Sequence, residues 1–131
     1  MLDFRASTRA AAATITFREA GQERTLLVGA TRFSLEKIRA DDRETLIPTH
    51  GVPFTLTALG TALDVEIGSV PAAVAPYATI VVPAAAVNLH LRSAGEMLVV
   101  RPTPNISGLR ADALGGGVAA AEVDAFFAQF A

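Results

Sequence analysis

Between Val52 and Arg101 apolar and polar residues alternate in short runs separated by Gly, Pro and Ala. Phe54, Leu56 and Ala58 lie two apart, as do Leu63, Val65 and Ile67, and Val87, Leu89 and Leu91. A spacing of two puts side chains on one face of a strand, so each run predicts a half-buried strand. The separators Leu59-Gly60-Thr61, Gly68 to Pro76, Pro83 to Ala86 and Ser93-Ala94-Gly95 read as turns, which makes neighbouring strands antiparallel. Met97 to Arg101 is the last strand, because Pro102 and Pro104 cannot join a central ladder. This pattern predicts a meander or a jelly roll.

Upstream, Thr14 to Arg18 alternates, Ala20-Gly21-Gln22 turns and Thr25 to Val28 resumes, which predicts a hairpin. From Thr31 to Arg39, Phe33 and Leu35 share a face while Ile38 falls out of phase, so a bulge or strand end is expected near Lys37. Ala40 to Glu44 reads as a charged turn, and the mixed charges before His50 as a solvated surface. Residues 105–117 read as a Gly/Pro loop ending in Gly115-Gly116-Gly117. From Val118 to Phe130 the period becomes helical, with Val123, Phe126, Phe127 and Phe130 on one stripe, expected to dock on the outside of its own sheet or on a second copy. The expectation is a single all-β domain: a tail or connection over 1–13, an antiparallel jelly-roll barrel over 14–104, the loop, and a C-terminal amphipathic α-helix over 118–130.

A length of 131 residues suits one domain that buries a core without staples. With 11 basic and 13 acidic residues the formal charge is −2, which gives no reason to expect nucleic acid or an anionic membrane as partner. No apolar run approaches the roughly 20 residues that cross a bilayer, and the default location is the cytoplasm. The absence of cysteine removes disulfides, thiolate nucleophiles and Cys-based zinc sites, and two histidines, His50 and His90, are too few for a multi-histidine metal site. No GxSxG elbow, phosphate-cradling glycine loop, HExxH or calcium loop occurs. The polar group with suggestive spacing is Asn88, His90 and Arg92, which share a strand face opposite Val87, Leu89 and Leu91. Facing into a barrel they would hold a small sugar or sugar phosphate; facing water they are surface residues, the arrangement expected when the apolar face takes the interior.

Phe33-Ser34-Leu35-Glu36-Lys37-Ile38, Pro53-Phe54-Thr55-Leu56-Thr57-Ala58-Leu59-Gly60 and Ala78-Thr79-Ile80-Val81-Val82-Pro83-Ala84, together with the opening Leu2-Asp3-Phe4, resemble the cupin barrel that closes type I mannose-6-phosphate isomerases at their C-terminus. The resemblance covers roughly residues 1–104. It implies a cupin-type jelly roll and, in the full enzyme, interconversion of mannose 6-phosphate and fructose 6-phosphate, with zinc and the catalytic arginine carried by the part preceding the barrel. Metal-binding cupins place two histidines and a glutamate before one glycine turn and a third histidine after a second. Aligned on Gly60 and Pro83, those positions here hold Ile47 and Thr49 or Leu46 and Pro48, then Pro53, and then Asn88. None replaces imidazole or carboxylate as an inner ligand. The chain is therefore expected to carry no catalytic residue and no cofactor or metal of its own, and to support an upstream catalytic domain by packing.

Overall fold

In the computed structural model the described residues are 13–41 and 44–131. The tail expected over 1–13 lies almost entirely outside them. Ten strands follow in order: β1 (Ile15–Glu19), β2 (Gln22–Gly29), β3 (Phe33–Ala40), β4 (Thr45–Pro48), β5 (Phe54–Leu59), β6 (Leu63–Ile67), β7 (Val70–Val74), β8 (Thr79–Val82), β9 (Asn88–Leu91) and β10 (Gly95–Pro102). Two helices, α1 (Ile106–Gly115) and α2 (Ala120–Ala128), close the chain.

The strands form a six-stranded sheet ordered β1-β2-β3-β10-β5-β8 and a four-stranded sheet ordered β4-β9-β6-β7. Every pairing is antiparallel. Only β1–β2–β3 and β6–β7 are joined as hairpins; elsewhere consecutive strands alternate between sheets, so the Gly60 turn carries the chain from one sheet to the other. This is a jelly roll and not a meander. In the first hairpin Glu19 pairs with Gln22, and the two loop residues Ala20 and Gly21 both take positive φ, 44° and 81°, the twist that a two-residue connection requires.

Between the sheets Ile38, Ile47, Phe54, Leu56, Leu63, Val65, Leu89, Leu91, Met97 and Val99 interlock in one buried cluster. These are the inward positions of the period-two runs. Two strands escaped the sequence reading: β4, with only Thr45 and Ile47 pointing inward, and β7, read as a turn because Pro71 and its alanines are exposed. β7 lies at a sheet edge, where proline is tolerated.

The six-stranded sheet is wider than its partner, and the helices cover the overhang. Ile15, Phe17 and Leu26 of β1 and β2 meet Leu109 and Ala113 of α1 and Val123, Phe126 and Phe127 of α2 in a second cluster. Leu26 pairs with Glu36, and Glu36 with Val99, so both clusters occupy one sheet face. The Phe stripe thus docks on its own sheet, but on the inner face beside the barrel and not on the outside. Phe126 meets Phe127 edge-on at 4.9 Å between ring centres. Gln129 donates from Nε2 to the Ala13 carbonyl at 3.0 Å, tying the end of α2 to the chain leading into β1.

Residues 105–117, expected as a loop, begin with α1. Asn105 caps it by accepting from the Gly108 amide at 3.0 Å. The helix turns only Leu109 and Ala113 into the core, one position per turn, too narrow a stripe to register as a helical period beside Gly108 and the terminal glycines.

Candidate functional site

The inner face of the six-stranded sheet changes from apolar to charged where barrel and helices meet. On β3 the inward residues are Ser34, Glu36, Ile38 and Ala40, while Phe33 and Leu35 point outward. β3 pairs with β10 without interruption from Phe33 to Ala40, so the bulge expected near Lys37 is absent; the irregularity lies in β2, between Leu26 and Val28. The sequence assigned the wrong phase because the inward residue at 36 is an acid whose burial depends on neighbours from two other strands.

Those neighbours are arginines. Arg24 on β2 and Arg101 on β10 stand on opposite diagonals from Glu36, and all three are buried, with exposures of 6%, 8% and 1%. Arg24 grips Glu36 bidentately, Nε donating to Oε2 at 2.8 Å and Nη2 to Oε1 at 3.2 Å. Its Nη1 donates to Asp112 of α1 at 2.8 Å and to Glu19 of β1 at 3.3 Å. Burial alone would lower the Arg24 pKa; the charge and hydrogen bonds of Glu36, with Asp112 and Glu19, outweigh it and raise the value. The Phe17 ring lies 5.1 Å below the guanidinium.

Arg101 is placed differently. Its closest carboxylate oxygen, Glu36 Oε1, is 3.9 Å away, beyond hydrogen-bond length, and the Phe54 ring centre lies 4.7 Å from its guanidinium carbon. Burial holds its pKa below the ordinary arginine value, Glu36 opposing and Arg24 adding to the effect. Three adjoining recesses, of about 100, 60 and 100 Å³, all have Arg101 and His50 in their walls. His50 is exposed and takes φ 55°, and Thr103 on the facing wall takes φ 48°, two non-glycine residues held in the left-handed region at one rim. Gln22, further along β2, presents a buried Oε1 that has no partner among the described residues.

Asn88, His90 and Arg92 do share a face, the outer one of the four-stranded sheet. His90 pairs with Leu46 and Glu66 across β9, and Arg92 is bound to Glu66 at 2.9 Å and to Glu44 at 3.8 Å. The shallow recess beside Arg92 is on this surface, lined by Asp64 and Pro71 among others. The buried cluster of Arg24, Glu36 and Arg101, with half-buried Asp112 at its edge, was missed: Arg24 and Glu36 lie among the charges before His50 that read as solvated. One signal was available: Met97, Val99 and Arg101 continue a single phase of two, which places Arg101 inward with the other two.

Among the described residues no three His, Asp or Glu side chains gather as a metal site. The only carboxylate on the inner face of β3, Glu36, is occupied by Arg24, a donor set that does not fit zinc.

An antiparallel jelly roll is the architecture of the cupins, among other β proteins, and solved cupin structures superpose on this one. Neither a family model nor a curated protein matches the sequence. An RmlC-like cupin from Shewanella frigidimarina superposes with a TM-score of 0.59 at 14% identity, over 72% of this chain and 87% of that one. The Streptomyces nucleoside dehydratase Pac13, solved with uridine, gives 0.60 at 11% over 71% and 78%. The polyketide cyclase RemF of Streptomyces resistomycificus gives 0.56 at 18% over 72% and 77%. The chain has the cupin fold.

Proposed function

We propose that the chain is a non-catalytic cupin barrel that supports a catalytic region by packing against it, as the C-terminal cupin does in type I mannose-6-phosphate isomerases. The observation that carries this reading is on the outside of the six-stranded sheet. Val28, Leu35, Val100, Thr55 and Val81 pair side by side across five strands, and Phe33 lies next to the row. A sheet face that ends in water is normally polar, and the outer face of the four-stranded sheet is largely so, with His90, Glu66, Asp64 and Arg92 around one exposed Leu46. Val81 is 65% exposed and Phe33 43%. Bordered on the same face by Thr25, Lys37, Thr57 and Thr79, this row is an apolar patch with a polar rim, the form a packing surface takes.

The filled interior supports the non-catalytic half of the reading. Phe54, Leu56, Leu89, Leu91 and Met97 are at most 1% exposed and fill the space between the two sheets. The test is an isomerase assay and an elemental analysis of the isolated chain. The reading predicts no conversion of mannose 6-phosphate with zinc added and no stoichiometric zinc after dialysis; zinc in a one-to-one ratio with turnover would reject it.

A further inference from the structure

We propose that the recess between the turn after β4, the end of β10 and the start of α1 binds a small oxyanion, a carboxylate or a phosphate group, with Arg101 as the residue that holds it. Arg101 is nine-tenths buried and permanently charged, with five N–H donors. Among the described residues nothing accepts a hydrogen bond from its guanidinium, and both oxygens of its closest carboxylate are held by Arg24 at 2.8 and 3.2 Å. The guanidinium opens on the recess, and an oxyanion is the group that satisfies several of its donors at once in the plane of the fork.

The walls decide the sign of the guest. In the recess of about 100 Å³ lined by Thr49, His50, Arg101, Thr103 and Asn105 there is no carboxylate. Asp112 and Glu19 line the neighbouring recesses, where both are engaged by Arg24, so an anion is repelled there and drawn to the Thr49–Asn105 end. Asn105 spends its Oδ1 on the Gly108 amide, which leaves the Nδ2 donors, and the ten-residue helix behind it adds the positive end of its dipole. The volume matches about three waters, room for the anionic group and a carbon or two, with the rest of a larger molecule outside.

The two sources of such a group separate in an amide and Arg Nε–H NMR titration of the whole chain with inorganic phosphate and, separately, with acetate at constant ionic strength. Saturable shifts at Arg101 and Gly108 are expected. Saturation by phosphate alone supports a phosphate ester as the natural ligand, by acetate alone a carboxylate, and by both the shared chemistry; no saturation by either overturns the proposal. Arg101→Gln removes binding but stands to disturb the core, so Asn105→Asp is the second variant. It keeps the helix cap and puts a negative charge in the recess, and affinity is expected to fall about tenfold or more with the remaining spectrum unchanged. Unchanged affinity in a folded Asn105→Asp chain would also overturn the proposal.

Discussion

Glu36 holds two arginines inside the protein, and its removal leaves both without their shared counter-ion. Glu36→Gln keeps the shape and discards the charge, which for a buried pair costs about 3 kcal/mol or more. We expect that loss in a urea titration, and a variant as stable as the parent would mean that the cluster is not buried as described. Surface pairs behave differently. The Lys37 ammonium, 2.8 Å from Glu96, and the Arg18 guanidinium bound to Asp41 hold both carboxyls below their ordinary values. A depressed carboxyl contributes stability that is present above its unfolded pKa and lost as pH falls through its folded one. The denaturation midpoint should therefore fall as pH drops below about 4, less steeply in high salt; a midpoint that rises on acidification would contradict these pairings.

Gly29, at the end of β2, sets how closely α2 can approach. A Cβ there would stand 2.5 Å from Phe127 Cε1 and 2.9 Å from Phe126 Cε2, inside two buried rings. Gly29→Ala should cost about 1–3 kcal/mol and lower the thermal midpoint, whereas truncation of Phe126 to Ala should cost about 3–5. A Gly29→Ala chain with an unchanged midpoint would place the helix elsewhere. These elements were unevenly legible in the sequence. β5 and β6 carry three positions in one phase and announce themselves, as does the Phe stripe of α2; β9 turns only Leu89 and Leu91 inward and was read as a strand because Val87, which is 63% exposed, happens to extend their phase. β3 was found but phased wrongly, because its inward acid is explained only by partners 12 and 65 residues away, at positions 24 and 101. β4 and α1 each turn two side chains inward, below what periodicity resolves, although Asn105 ahead of Gly108 was a readable cap.

At the scale of the molecule, one wide sheet serves two purposes. Its far half closes a barrel against the smaller sheet; its near half is covered by the helices, and the junction collects the buried charges. The jelly roll was legible from strand number and turn spacing, while the recess at the junction was not, since it is assembled from β2, β3, β10, α1 and the turn at His50. Among the described residues no helix is long and apolar enough to cross a membrane. The barrel interior is packed core, which should leave no room for a ligand between the sheets. Methyl NMR of the chain titrated with zinc and with mannose 6-phosphate tests this directly: the resonances of Val65, Leu89 and Leu91, on the sheet opposite Arg101, should stay where they are throughout. Stoichiometric shifts of those interior methyls with either addition would contradict it.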